Sequence, residues 1–540
     1  MSIFASDLIW IILLPIIGAL VAYALPVKAA RWACLIFSAA TFVLSLYIYL
    51  RLLGSGQGFG DITHLVDATA DTRWVSFNVG NFRLNIDFFL GVDGLSLPLV
   101  ILNALLTLLA IIGGWEKPRV KDYMALLLLL EAGVMGVFMA MDLFLFFLFW
   151  EVELAPMFLL IGVWGNQQIK HGVPGRIYSA WKFLLYTFFG SIFMLAGILV
   201  LYFTNVAHGG MPTASMVYFA QHVQNYQLPL FGWMVGSQLL IFLLIFVAFA
   251  VKIPMFPLHT WLPDVHTDAP TEVSVILAGV LLKMGAYGLI RICLGLFPQG
   301  VNQFAGILAV FAVINIIYGA GICLVQKDMK KLIAYSSVSH MGIVLLGVAA
   351  AAGVGDGIFT GQAAEAFRQA ALIGATVQLF AHGIISGLLF FCVGVIYDHA
   401  HTREISAFGG VAKRMPFLAT LFTLAGMASL GLPGLAGFVA EYMVFTASFR
   451  IWTVITIISV FTMILTAAYL LWMLKRVFFG TFNPKWDKLL DVNLREAIPL
   501  VALAAVIVFV GIYPAPFINV IQPSIAQIMH TAAAAVALSK

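Results

Sequence analysis

Apolar residues run along this 540-residue chain in long stretches separated by short polar clusters. About 30 Å of hydrocarbon takes roughly 20 helical residues to cross, so the stretches predict about fourteen transmembrane helices. Their approximate spans are 8–25, 32–53, 90–113, 123–141, 143–164, 178–204, 232–252, 273–297, 304–325, 332–352, 371–397, 417–448, 451–478 and 496–520. Two helices are interrupted. Pro254 and Pro257 follow the seventh, and Gly431, Pro433 and Gly434 fall inside the twelfth. Breaks at matching places in two halves predict two inverted five-helix repeats, helices 4–8 and 9–13, with ion sites at the breaks. Unwound backbone persists in hydrocarbon only where it is buried or lines a wet cavity.

The predicted fold is therefore an all-α polytopic membrane protein. Its organisation reads as three N-terminal helices with an external loop at 54–85 (1–113), a first inverted repeat (123–297), a second (304–478), and a C-terminal helix and tail (496–540). Within the loop, the alternating WVSFNV and NFRLNI stretches around Gly80 predict a small hairpin.

Composition agrees with the pattern. Hydrophobic residues make up 62% of the chain and charged residues 10%, which excludes a soluble domain. A net charge of +4 gives no reason to expect nucleic acid. The distribution of basic residues says more than the total. Lys28, Arg31, Lys117, Lys170, Arg176, Lys327, Lys330, Arg403, Lys475 and their neighbours follow odd-numbered helices, while only Arg51, Arg73, Arg83, Arg291, Arg368, Arg450 and Lys540 fall on the opposite side. The positive-inside rule then makes the odd-to-even connections cytoplasmic and puts both termini on the far side. Lys28 and Arg31 follow the first apolar run where a signal peptide would carry a small-residue cleavage site, so that run reads as a retained helix. Cys34, Cys293, Cys323 and Cys392 fall singly in apolar segments and read as packing residues; no metal site is expected.

Against this background the ionisable residues inside the helices are few: Glu151 on the fifth, Lys252 ending the seventh, Lys283 in the eighth, His340 and His382 on the tenth and eleventh, and Glu441 on the twelfth. An ammonium at the bilayer centre costs at least roughly 2.5 to 3.5 kcal/mol, so such groups read by default as a proton or ion path. Lys252, at a helix end, could instead snorkel to the surface. Lys283 has no such escape, because it lies about 15 Å from either end of its helix at 1.5 Å per residue. A carboxylate beside an ammonium favours both charged forms, so moving the partner toggles the lysine, and imidazoles carry protons near neutrality unaided. Driving one proton against roughly 200 mV costs about 4.6 kcal/mol, or about 3.4 pKa units. Buried lysines shift by up to about 3 to 5 units, so toggling one pair is of the right size.

Glu151 and Glu153 are two positions apart and so point to nearly opposite faces of a helix. The expectation is that Glu151 lines the axis and pairs with Lys252, while Glu153 faces a neighbouring helix or subunit. Glu272 reads as a favourable acid in a helix first turn, and Lys182 either as an interface anchor or as a group tuning Glu151.

The strings FAVKIPMFPLHTWLPDVHTDAPTEVSVILAGVLLKMGAYGLIR, FWEVELAPMFLLIGVWG, KKLIAYSSVSHMGIVLLG, QLFAHGIISGLLFF and GLPGLAGFVAEYMVF closely resemble the antiporter-like proton-translocating subunits of respiratory complex I, NADH:quinone oxidoreductase. The resemblance covers essentially the whole chain. Among these subunits it is similar to the chain M type, equivalent to mitochondrial subunit 4, which carries a glutamate at the place of Glu441. The resemblance implies that Glu151 and Lys252 are the charge pair of one half-channel, Lys283 the connecting residue, His340 and His382 the continuing axis, and Glu441 the terminal site of the other half-channel. Lys182, Asp264 and His266, the last two in the WLPDVH loop, take supporting places. Glu153 and Glu272 depart from the family pattern.

The resemblance also implies a proton translocase that performs no redox chemistry itself. No dinucleotide, flavin or iron–sulfur motif is visible, so NADH, FMN, iron–sulfur clusters and quinone are expected in partner subunits, and sister antiporter-like subunits are expected beside this chain in the bilayer. A bacterial cytoplasmic membrane is the expected location, with thylakoid and mitochondrial inner membranes as alternatives. Rival readings are a subunit of a multi-subunit sodium/proton antiporter, a related complex with ferredoxin, plastoquinone or hydrogenase partners, and a purely structural anchor, which leaves Lys283 unexplained.

Overall fold

The computed structural model describes residues 6–55, 65, 67–68, 72–79, 82–222, 225–230, 233–353 and 362–537. Gly80 and Lys540 lie outside them. Among the described residues, eleven helices are long and apolar enough to cross a membrane, and three shorter apolar helices, Leu97–Gly113, Ser237–Lys252 and Pro416–Ser429, fill the third, seventh and twelfth places of the expected series. Segments are numbered here by that series. The strands Thr72–Val79 and Phe82–Phe88 pair antiparallel as the alternation predicts. The C-terminal region differs from expectation. The run read as 496–520 is two helices, Leu494–Ile512 and Ala515–Ala537, divided at Pro514, because proline disfavours helical backbone at the residue before it.

The seventh segment stops at Lys252 and resumes as Trp261–Asp268, and the twelfth stops at Ser429 and resumes as Ala436–Ser448. Each break falls in the fourth member of a five-helix set, and sets offset by five crossings run in opposite directions. Backbone groups freed at the first break are recovered by side chains. The Trp261 indole donates to the Val251 carbonyl (3.0 Å), Asn315 of the ninth segment donates to the Pro254 carbonyl (3.2 Å), and the Phe256 amide donates to Asn315 Oδ1 (2.7 Å). At the second break Gly431 and Gly434 adopt φ of 78° and 89°, a conformation that costs residues with a Cβ about 1 kcal/mol or more.

The eighth segment, Thr271–Leu294, is wholly buried and carries two π-helical stretches, Leu277–Leu281 and Leu289–Leu294, on either side of Lys283. Such wide turns loosen the regular ladder and frequently mark functional sites. The eighth and eleventh segments touch backbone to backbone, since a Cβ on Gly383 would come within 2.8 Å of the Gly279 carbonyl oxygen. Lys283 lies one turn beyond Gly279 and His382 next to Gly383.

Candidate functional site

Lys252 is fully buried, which removes the snorkelling alternative. Its ammonium lies 5.3 Å from the ring centres of Trp150 and Phe183, and it forms an ion pair with Glu153, not with Glu151 as expected. The correction has a plain physical cause. The buried stripe of the fifth segment runs Phe146, Trp150, Glu153, Met157 and Leu160, while Leu148, Val152 and Leu159 face outward. Glu153 also stands at the joint between Leu143–Val152 and Leu154–Trp164, against Gly133 of the fourth segment. In LFLFFLFWEVELAPMF almost no polar residue distinguishes a lipid-facing side from a bundle-facing one, so amphipathicity cannot phase the helix. Glu151 is only half-buried, and its Oε1 has no protein partner.

Lys182 does not engage Glu151. It pairs with Asp264 at 2.7 Å, tying the sixth segment to the second half of the seventh. Glu272 does sit in a helix first turn, but it also holds Lys117 (3.3 Å) and accepts from the Tyr123 hydroxyl (2.8 Å). Arg291, read from the sequence as one of the few basic residues on the far side, is fully buried and paired with a fully buried Asp93 at 2.5 Å.

Lys283 heads a buried polar line. Its ammonium donates to the Ala278 carbonyl (2.5 Å) and lies 2.6 Å from His382 Nδ1. When the lysine carries the proton, that ring nitrogen must accept. The rings of His382 and His340 are 5.8 Å apart, and a cavity of about 10 Å³ lies between them and Glu441, bordered also by Gln378, Ser429 and Gly437. That is the space for one water centre. Gln378 Oε1 is buried there without a protein partner, so a water in the cavity would have an acceptor as well as the imidazoles. His340 then reaches Glu441 Oε1 through Nδ1 (3.2 Å) and the Ser429 hydroxyl through Nε2 (3.1 Å). The structure thus joins Lys283, His382, His340 and Glu441 into one line. The Glu153–Lys252 pair shares no hydrogen bond with it; the two meet through packing, where Gly285, two residues from Lys283, lets the eighth segment approach Lys252 Cβ.

The second break shapes the end of this line. A Cβ on Gly431 would lie 2.8 Å from Glu441 Oε2. Gly431→Ala is therefore expected to cost about 1 kcal/mol or more in backbone strain and to displace the carboxylate from His340. Membranes carrying the variant should show assembled protein with proton transfer reduced at least severalfold; transfer at the normal rate would mean that the carboxylate does not depend on this glycine.

Comparison with known proteins follows the same lines. Residues 140–466, more than half of the chain, match the family described as NADH:quinone oxidoreductase/Mrp antiporter, TM. The NADH-quinone oxidoreductase subunit M of Rhodobacter capsulatus is 40% identical over 508 residues, 93% of this chain and 91% of that one. The NAD(P)H-quinone oxidoreductase chain 4 of Gloeobacter violaceus is 38% identical over 96% of this chain and 91% of its own length. Among solved structures, a chain of respiratory complex I from Thermus thermophilus with bound NADH superposes with a TM-score of 0.79 at 26% identity, covering 97% of this chain and 99% of that one. A chain of the Mrp complex from Dietzia sp. shares the fold, with a TM-score of 0.75 at 18% identity over 97% and 98% of the two chains. On these matches, and with its two broken helices and buried polar line in place, the chain belongs to the NADH:quinone oxidoreductase/Mrp antiporter transmembrane family.

Proposed function

We propose that this chain is a proton-translocating membrane-arm subunit of NADH:quinone oxidoreductase, in which the Glu153–Lys252 pair controls proton movement along Lys283, His382, His340 and Glu441. The observation that carries the reading is the buried line itself: two titratable bases and a carboxylate follow Lys283 within hydrogen-bonding or single-water distance across the second repeat. A hard cation such as sodium wants several oxygen ligands. This line offers mainly nitrogen donors and one carboxylate, which suits protons.

Electron transfer from NADH through FMN and iron–sulfur clusters to quinone belongs, in this reading, to partner subunits. Sister antiporter-like subunits flank the chain in a bacterial inner membrane, and the lysine- and arginine-rich connections face the cytoplasm. Movement of the Glu153 carboxylate away from Lys252 would deprive the ammonium of its counter-ion and favour proton release; its return would favour reloading.

Purification through a tag on this chain tests the assignment. Flavin and iron–sulfur absorbance, together with NADH-driven proton uptake in proteoliposomes that persists without sodium, is the expected result. Sodium-stimulated proton exchange without redox subunits would overturn it.

A further inference from the structure

The thirteenth segment, Thr453–Phe479, ends in a π-helical turn, Lys475–Phe479. Along one side of it Phe461, Ile464, Ala468 and Leu471 are exposed at helical spacing, an apolar stripe about 15 Å long at 1.5 Å per residue. Trp472 and Phe479 carry the stripe on to the side rich in lysine and arginine, where Lys475 and Arg476 stand exposed on the same face. One leaflet contributes about half of the roughly 30 Å of hydrocarbon. The stripe therefore has the length of one leaflet's acyl region, with two cations at its headgroup end.

The connection after the eleventh segment is fastened against this end. A Cβ on Gly410, whose φ is 61°, would come within 2.7 Å of both the Gly480 carbonyl oxygen and Phe482 Cα. The Ala407 carbonyl accepts from Asn483 Nδ2 (3.1 Å) and from the Trp486 indole (2.8 Å). Lys413, 5.2 Å from the ring centre of Phe482, and Lys485, 4.8 Å from that of Trp486, thereby join the same corner. Arg476 lies 4.6 Å from the ring centre of Trp472.

Elsewhere on this side the cations meet acids: Lys117 pairs with Glu272, Lys170 with Asp268, Lys182 with Asp264 and Arg403 with Asp328. Even Arg414, next to Lys413, takes Asp487. Among the described residues Lys413, Lys475, Arg476 and Lys485 form no ion pair, and all four are exposed. Compensation of a helix C-terminus accounts for Lys475 and Arg476, but not for two further cations brought in by separate connections. Like charges gathered at one corner repel one another and favour an anion among them. A soluble anion would use the charges and leave the stripe bare; a lipid with a phosphate headgroup uses both.

We propose that this corner binds an anionic phospholipid of the leaflet on the basic side, its phosphate held by Lys413, Lys475, Arg476 and Lys485 and an acyl chain lying along the stripe. Lys413 stands three residues before Pro416, where the first half of the broken twelfth segment begins. The lipid thus braces that half-helix against the end of the thirteenth segment. The site lies apart from the proton path and does not depend on it.

The test uses the whole complex in nanodiscs of phosphatidylcholine that carry a trace of photoreactive lipid, either phosphatidylglycerol or phosphatidylcholine, with the reactive group on an acyl chain. The phosphatidylglycerol probe should label the stretch Phe461–Phe479 about tenfold or more above the phosphatidylcholine probe, since each basic residue near an anionic headgroup adds roughly fivefold. Lys475→Gln with Arg476→Gln, and separately Lys413→Gln with Lys485→Gln, should each cut that preference severalfold and leave labelling by the phosphatidylcholine probe as it was. The second pair lies outside the helix and carries the test where the first prevents assembly. Equal labelling by the two probes in the unaltered complex, a preference that survives the changes, or a stripe left unlabelled because a neighbouring subunit covers it would overturn the proposal.

Discussion

Glu153→Gln is expected to abolish coupled proton transfer, while Glu151→Gln is expected to be the milder change. Glu153 and Lys252 are both sealed from solvent and share an ion pair. Removing one member of such a pair leaves the other charge uncompensated, at about 3–5 kcal/mol. Lys252→Ala should therefore be as harmful as Glu153→Gln. Because the two residues act as one unit, their effects should not add, and the double change Glu153→Gln with Lys252→Met should assemble at least as well as either single variant. Glu151 is half-buried and forms no ion pair with Lys252, so its amide leaves no buried charge uncompensated. Membranes assayed for NADH-driven quinone reduction and proton uptake, with assembly followed on native gels, would decide the matter. Full pumping in an assembled Glu153→Gln complex, alongside loss in Glu151→Gln, would return the switch to Glu151.

A second large effect is expected at Lys283. If its charge were only structural, arginine would substitute for it. Arginine keeps the charge but does not deprotonate in proteins, so a relay position should lose function with arginine nearly as completely as with alanine. The ammonium sits 2.6 Å from His382 Nδ1 and 2.5 Å from the Ala278 carbonyl, and a blocked hand-over of even 2.7 kcal/mol corresponds to roughly a hundredfold in rate. Lys283→Arg and Lys283→Ala should both drop proton uptake by about that factor, with quinone reduction retained when the membrane is made leaky by an uncoupler. Robust pumping in Lys283→Arg would show that the position needs charge and not titration.

Most of the membrane segments were legible because hydrocarbon thickness imposes a length that apolar runs must meet. The two breaks were legible because proline and glycine have few other uses there. Lys283 announced itself by depth alone. What the sequence concealed was rotation. Glu151 and Glu153 occupy a run in which every alternative face is apolar, so nothing local says which carboxylate meets Lys252; the answer lies in the packing of Gly133 and Trp150 against neighbouring segments. Long-range pairs were hidden for the same reason. Asp93 and Arg291 are 198 positions apart, and Glu272 finds Lys117 and Tyr123 only once the third, fourth and eighth segments come together. The C-terminal pair of helices merged in the sequence because apolar residues resume directly past Pro514, at Phe517, Ile518 and Val520.

The smallness of the space between His340, His382 and Glu441 has its own consequence. A void of about 10 Å³ takes a single water and cannot accommodate a metal cation together with its hydration shell. A hydrogen can pass there by exchange between neighbours, whereas a sodium or potassium ion would have to shed its hydration shell to enter and would find few oxygen ligands in return. On the proposed path, that makes the width of the seam through the second half, rather than any separate filter, the feature that discriminates between protons and hydrated sodium or potassium.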